Sequence, residues 1–170
     1  MRIELDALSS CLFMPAVWRA DWEWGVPLIV ITVVIHVLGL RMVNVQGVKL
    51  YTREKDKHHP TVVFALVISG VILFATCLHA VEAGLWAGCY KFLGTQPDFK
   101  SAMLYSLGAM TTYGSGLHLD DPWRLLGAIE ALSGWLLFGL TTAFLYSAIQ
   151  QCFQIEAHSY EAKSKVTTHV

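Results

Sequence analysis

Apolar residues in this chain form three long runs that are separated by shorter polar segments. The runs cover residues 26–43, 61–90 and 123–153. A helix needs about 20 predominantly apolar residues to cross a bilayer, so each run predicts a membrane span, the first near the short limit. The pattern therefore predicts an all-α membrane protein with three transmembrane helices.

A shorter helical segment, residues 99–110, precedes the third run. Thr95 is a candidate cap for it and Asp98 falls in the predicted first turn, as at many helix starts. About three turns are too few to cross a bilayer. The glycine-spaced string at 111–117 follows, and bare backbone at membrane depth survives only when it is buried in protein or lines water. We therefore predict a re-entrant pore helix and loop between the second and third spans.

Polar segments flank the spans. Residues 1–25 combine acidic residues with three tryptophans, which suit the lipid headgroup region. Residues 44–60 form the main basic loop, in contact with solvent or lipid headgroups, and the polar tail at 154–170 carries two lysines. Because basic residues concentrate on the cytoplasmic side, we expect the N-terminus outside and the C-terminus in the cytoplasm.

The composition agrees with one compact membrane domain. Of the 170 residues, 55% are hydrophobic and 15% are charged, against about 25% charged in a soluble domain. The net charge of −1 argues against nucleic acid as the main partner. Nothing resembles a nucleotide-binding loop such as GxxxxGK[ST]. We therefore expect passive transport and no enzymatic activity, and we identify no small-molecule substrate.

The four cysteines have neither the CxxC spacing of a zinc site nor the pattern of a disulfide framework. Cys77 and Cys152 lie in predicted spans and are interpreted as small apolar residues. Cys11 and Cys89 are expected in the same compartment, which leaves a bridge between them open.

Ionisable residues well inside the spans are functional candidates by default. We interpret His36 as a histidine that is hydrogen-bonded between helices rather than as a ligand. His79 and Glu82 lie three apart, on one helix face. A structural brace for the re-entrant backbone is favoured over a metal site there, because two ligands on one helix leave a zinc or iron site incomplete. Glu130 lies in the outer half of the third span.

The third run has a clear start and several small residues. Asp121 and Pro122 predict its first turn, as cap and first helical position. Glycines in spans are close-packing positions or hinges, and packing is the more common role. The candidates for a cavity or gate are Gly134, Gly139, Thr141 and Thr142.

The order of a span, a short helix, Thr-Thr-x-Gly-x-Gly and a further span resembles the pore module of the tetrameric potassium channel superfamily. Segments 78–87 and 123–146 are similar to small bacterial channels of the two-transmembrane pore-domain type. The resemblance covers residue 61 to about residue 150, so the first span is an addition. It implies a homotetramer in the bacterial inner membrane. The implied module comprises an outer helix at 61–90, a pore helix at 99–110, a filter at 111–117 and an inner helix at 123–153.

The family's filter reads Thr-Val-Gly-Tyr-Gly-Asp, where this chain has Thr-Tyr-Gly-Ser-Gly-Leu at 112–117. The resemblance implies that the carbonyls of residues 112–115 and the Thr112 hydroxyl replace the hydration water of a cation. The implied permeant ion is K⁺, and passage of Na⁺ or other monovalent cations is left open. The implied ion-binding residues are Thr111, Thr112, Tyr113, Gly114, Ser115 and Gly116.

Three departures from the family predict a looser filter. Tyr113 replaces a smaller aliphatic residue, Ser115 replaces the tyrosine that braces the filter, and Leu117 replaces the outer aspartate. We therefore expect reduced selectivity for K⁺. We also expect Glu82 or Glu130 to supply part of the lost bracing.

The sequence leaves several functions open. The leading one is a passive homotetrameric cation channel, gated by bending of the third span near Gly134 or Gly139, or at the filter. The second is a non-conducting channel-fold protein that regulates a membrane partner. The third is a metal or haem membrane protein with His36 and His79 as ligands from adjacent helices.

Overall fold

The computed structural model describes the backbone of residues 2–114, 116, 119 and 123–168, and the side chains of residues 18–114, 116, 119 and 123–159. In this part of the chain every regular element is an α-helix. The helices are α1 (Arg2–Glu54), α2 (Pro60–Phe92), α3 (Phe99–Met110) and α4 (Arg124–Thr168). Three segments are long and apolar enough to cross a membrane: Trp18–Glu54, Pro60–Phe92 and Arg124–Ser159. The predicted all-helical protein with three membrane-length helices is confirmed.

Helix α1 is much longer than the predicted span at 26–43. It runs from Arg2 to Glu54, so the loop predicted at 44–60 is wrong for residues 44–54, and only residues 55–59 connect α1 to α2. The position of residues 1–25 at the lipid headgroups stays a prediction. Residues 44–54 contain no proline and a single glycine, and five of these eleven residues are strong helix formers: Gln46, Lys49, Leu50, Arg53 and Glu54. Polarity in this stretch therefore indicates where the chain leaves an apolar environment, not where the helix ends.

Helix α4 is likewise longer than predicted. The sequence predicts an inner helix that ends at 153 before a polar tail, but α4 continues to Thr168. Residues 154–168 contain neither glycine nor proline, so nothing local stops the helix. Helix α3 has the predicted bounds, and α2 exceeds its predicted range of 61–90 by one residue at its start and two at its end.

The helices contribute to two compact units, and the first comprises Met1–Ile35 and Ala80–Leu137. Leu28 and Ile29 of α1 pack against its apolar core. The buried members of that core are Trp86, Ala87, Tyr90, Ala102, Leu119, Leu126 and Ile129. Cys89 in this unit is a free thiol, so it forms no bridge to Cys11. This unit contains α3 and the loop that follows, the predicted pore segment.

The second unit comprises His36–His79 and Phe138–Val170. Its apolar core contains Tyr51, Val63, Val67 and Cys152. Asn44 Nδ2 donates to Gln151 Oε1 at 3.4 Å, and Lys55 Nζ donates to the Ser159 hydroxyl. These contacts join the carboxyl-terminal part of α1 to α4 at residues 151 and 159.

Candidate functional site

The short helix α3 begins at an aspartate cap. Asp98 has extended backbone angles (φ −145°, ψ 164°), and its carboxylate accepts a hydrogen bond from the Ser101 N–H at 3.0 Å. The hydrogen bonds from Ser101 lower the pKa of Asp98. The prediction that Thr95 is the cap is therefore wrong, and its hydroxyl donates to the Tyr90 carbonyl at 3.0 Å. Both residue types suit a cap, but Asp98 directly precedes the first helical residue, Phe99, so the Ser101 N–H of the first turn lies within reach of its carboxylate.

The loop after α3 begins by folding back on the carbonyls of that helix. The Thr112 N–H donates to the Ala109 carbonyl at 3.0 Å, and the Gly114 N–H donates to the Gly108 carbonyl at 3.1 Å. A helix end leaves its last carbonyls without partners in the helix itself. Because the loop supplies those partners, its position is set by the end of α3.

Left-handed backbone angles recur at every second residue of this loop. The φ angle is 57° at Thr112, 75° at Gly114 and 68° at Gly116, whereas it is −85° at Thr111. The right-handed Thr111 followed by the left-handed Thr112 is the type of pair that turns successive N–H groups to one side of the chain. Thr112 is unusual, because a β-branched residue in this region costs about 1–3 kcal/mol. Ser115, also predicted to bind the ion, lies outside the described residues.

One face of α3 and the loop is uncovered within a single chain. Tyr113 is 89% exposed and Leu104 is 52% exposed. The predicted ion-binding residues 111–114 are all exposed. A surface depression of about 500 Å³ is lined by Ser101, Leu104, Leu107, Gly108, Thr111, Tyr113 and Gly114. One chain therefore does not enclose the loop.

The buried side of α3 is held by Glu130. Ser106 of α3 and Glu130 of α4 are both fully buried. The Ser106 hydroxyl lies at hydrogen-bond distance from Glu130 Oε1 and 2.9 Å from the Ala83 carbonyl oxygen of α2. The Tyr90 O–H donates to Glu130 Oε2 at 2.6 Å. Glu130 thus contacts α3 through Ser106, whereas bracing of the following loop by Glu130 stays a prediction.

Glu82 is the other predicted bracing acid. It lies on α2 in the same unit as α3 and is fully buried. Its neighbour Ala83 supplies the carbonyl that faces Ser106. The predicted contact between Glu82 and the loop backbone stays a prediction.

Gly134 of α4 is a close-packing position. A Cβ at Gly134 would lie 2.5 Å from the Met110 carbonyl oxygen and 2.7 Å from its Cα, closer than non-bonded atoms approach. Helix α4 therefore passes the carboxyl end of α3 at a distance that only glycine permits. By contrast, a Cβ at Gly139 would meet no atom of the described chain within 4 Å. Gly134 and Gly139, which are both predicted as candidates for a cavity or gate, thus have different surroundings.

The two intramembrane histidines lie in the second unit and share a partner. His36 Nε2 is 2.9 Å and His79 Nε2 is 3.1 Å from Thr141 Oγ1, and their ring centroids are 4.9 Å apart. The interpretation of His36 as a hydrogen-bonded histidine is confirmed. Thr141, a cavity candidate, is buried at this contact. Thr142 is exposed, and its hydroxyl donates to the Phe138 carbonyl at 2.9 Å.

Asp21 is a functional candidate that sequence reasoning missed. Only 1% of it is exposed, and Oδ1 accepts a hydrogen bond from the Leu126 N–H at 3.0 Å. Leu126 lies in the first turn of α4, where N–H groups have no partner within the helix. The additional helix α1 therefore caps α4. The predicted cap, Asp121, and the predicted first helical position, Pro122, lie outside the described residues.

Comparisons with known proteins give no relative for this chain: no family model, no curated protein and no solved structure matches it. A function is therefore inferred from the chain's own residues.

Proposed function

We propose that the protein is a homotetrameric channel that passes monovalent cations, chiefly K⁺, along backbone carbonyls of residues 112–115. The observation that carries the proposal is the alternating left-handed backbone at Thr112, Gly114 and Gly116 directly after α3. Backbone carbonyls that point to one side of a loop are suited to replace the hydration shell of an ion. Residues 111–114 are exposed, so this part of the loop is accessible to an ion.

Assembly into a tetramer follows from what one chain lacks. The loop of one chain can contact a cation from one side only, whereas a dehydrated ion needs oxygen ligands all around it. Four copies about a closed symmetry axis would supply them. Leu104 and Leu107 of α3 and Tyr113 of the loop, which are exposed in the single chain, would then contact neighbouring subunits.

The position of the loop favours a cation. It starts at the carboxyl end of α3, where the helix dipole places partial negative charge. Gly134 packs closely against Met110 of α3, and Glu130 contacts Ser106 of α3, so α4 fixes the position of this helix at two points. A fixed helix end supports a fixed loop, because Thr112 and Gly114 bond to its carbonyls.

The same contacts support reduced selectivity for K⁺. The backbone bonds of Thr112 and Gly114 run back to their own helix, and Glu130 acts on Ser106 in that helix. At positions 115 and 117 the chain has serine and leucine instead of the bracing tyrosine and aspartate of the resembled family. Fewer side-chain braces around the carbonyls would hold their spacing less tightly, so Na⁺ would also pass.

The proposed orientation follows from the basic residues. Lys49 and Arg53 lie near the end of α1, and Lys55 and Lys57 lie in the connection to α2. Basic residues of short connections favour the cytoplasmic side. We propose that this connection and the carboxyl end of α4 lie in the cytoplasm of a bacterial cell, with the protein in the inner membrane.

Tracer flux into liposomes that contain only the purified chain tests the proposal. We expect uptake of a K⁺ tracer well above that of protein-free liposomes, and slower uptake of a Na⁺ tracer. No uptake by inserted, tetrameric protein would contradict conduction and favour the regulatory alternative. A Soret band or stoichiometric metal in the same preparation would favour the alternative in which His36 and His79 are ligands.

A further inference from the structure

We propose that Glu130 carries a proton at neutral pH and donates a hydrogen bond to Ser106, so that a neutral carboxylic acid fastens α3 to α2 and α4. The inference deepens the proposed function, and it rests on that function only for its effect on ion flux. Glu130 is thus a positioning residue for the pore segment.

The inference rests on the number of hydrogen-bond donors at the two contacts of the Ser106 hydroxyl. Its Oγ is 2.9 Å from the Ala83 carbonyl oxygen and at hydrogen-bond distance from Glu130 Oε1. A serine hydroxyl has one hydrogen to donate, whereas a backbone carbonyl and an ionised carboxylate only accept. If Glu130 were ionised, Ser106 could donate its hydrogen to only one of the two oxygens. At the other contact, two oxygens that only accept would face each other without a hydrogen between them.

A proton on Glu130 Oε1 satisfies every contact. The Glu130 O–H then donates to Ser106 Oγ, and the Ser106 O–H donates to the Ala83 carbonyl. The Tyr90 O–H donates to the remaining oxygen, Oε2, at 2.6 Å. The result is a continuous chain of hydrogen bonds from α4 through α3 to α2, with each hydroxyl donating once.

The titratable groups that face Glu130 from α2 and α3 do not offset a negative charge. They are Cys89 and Tyr90 of α2 and Tyr105 of α3, each of which interacts electrostatically with Glu130. Thiols and phenols are neutral at neutral pH. None of the ion pairs between described residues includes Glu130.

The titratable group that α1 presents to this part of α4 is also acidic. Asp21 bonds to the Leu126 N–H, one helical turn before Glu130. A fully buried carboxylate without a cationic partner is costly, and such groups usually become neutral instead.

Raising the pH should therefore weaken the attachment of α3. Once Glu130 loses its proton, Oε1 and the Ala83 carbonyl compete for the one hydrogen of Ser106. A Glu130→Gln variant keeps the neutral arrangement at every pH, because its amide N–H₂ can donate to Ser106 while its carbonyl accepts from Tyr90.

Infrared spectroscopy of the full-length protein in liposomes tests the protonation state directly. We expect the wild type minus Glu130→Gln difference spectrum at neutral pH to show the carbonyl stretch of a protonated carboxylic acid, which is lost on alkaline titration. Glu156→Gln, at a partly exposed position of the same helix, controls for the effect of the substitution itself and should leave the Glu130 carbonyl band unchanged. Carboxylate bands from Glu130 at neutral pH would overturn the inference.

Stability and flux give a second readout. Wild-type thermal stability and K⁺ flux should both fall as the pH is raised, whereas Glu130→Gln should lose this part of the pH dependence and match wild type at neutral pH. A Glu130→Gln protein that is much less stable than wild type at neutral pH would contradict a neutral Glu130. The protonation result stands apart from conduction: absence of all flux defeats the channel proposal alone, and carboxylate bands defeat this inference alone.

Discussion

At the scale of single residues, Thr112 and Gly114 hold the backbone conformation on which the pore proposal depends. Glycine adopts left-handed angles at little steric cost, whereas Thr112 adopts one at a cost. Strain of this kind is typical of functional sites. The spacing of Gly114 and Gly116 made this stretch recognisable in the sequence, because glycine is the residue that such angles favour.

Replacement of Gly114 by alanine tests this backbone directly. At φ 75° a Cβ costs about 1–2 kcal/mol, so we expect Gly114→Ala to lose most K⁺ flux while still forming tetramers. Gly88→Ala is a matched control, because a Cβ there meets nothing within 4 Å on regular helix. Tracer flux and size-exclusion chromatography check both variants, and wild-type flux in Gly114→Ala would remove residues 112–115 from the conduction path.

Other single-residue contacts could not be predicted. Ionisable residues in apolar spans identified Glu130 and His36 as candidates, but their partners lie far along the chain. Ser106 is 24 residues from Glu130, and Thr141 is 105 residues from His36. Which polar side chains meet depends on helix packing, and spacing in the sequence does not encode it.

At the scale of elements, α3 was predictable and the ends of α1 and α4 were not. Helix α3 is bounded by a cap signal on one side and by Thr-Thr-x-Gly on the other, both of which act locally. No proline follows the apolar part of α1 before Pro60, and none occurs in α4 up to Thr168, so both helices continue past their predicted ends. Apolar length predicts a span, but it does not predict where a helix stops.

The approach of α4 to α3 predicts different effects for two glycines of α4. In Gly134→Ala the new methyl group would overlap the Met110 backbone, so α3 must shift, at a cost of about 1–3 kcal/mol for overpacking. In Gly139→Ala the methyl group meets no described atom within 4 Å, so folding should be unaffected. Thermal unfolding in detergent measures both, and equal stability of the two variants would contradict the close approach.

The hydrogen bond between Asp21 of α1 and the first turn of α4 predicts that α1 stabilises α4. Asp21→Ala removes the acceptor for the Leu126 N–H, and we expect a loss of about 1–2 kcal/mol, as for other caps. Glu23→Ala is the control, because Glu23 pairs with Arg19 at an exposed site where ion pairs contribute little. Chemical denaturation compares the variants. If both lose equally little, α1 does not support α4 through Asp21.

At the scale of the whole molecule, the sequence correctly predicted three helices that are long and apolar enough to cross a membrane. The homotetramer that the resemblance implies stays a prediction. Surfaces that face lipid and surfaces that face another subunit are both apolar, so exposed Leu104, Trp135 and Leu136 do not by themselves distinguish them. The tetramer is proposed because the exposed loop needs neighbours to surround an ion.

Single-channel recording in planar bilayers, with K⁺ on one side and Na⁺ on the other, tests the central claim most directly. We expect unitary currents whose reversal potential shows preference for K⁺ over Na⁺, with measurable Na⁺ permeability, and exclusion of Cl⁻. The absence of unitary currents from inserted tetramers, or a reversal potential that follows the Cl⁻ gradient, would contradict the proposal that backbone carbonyls of residues 112–115 carry cations across the membrane.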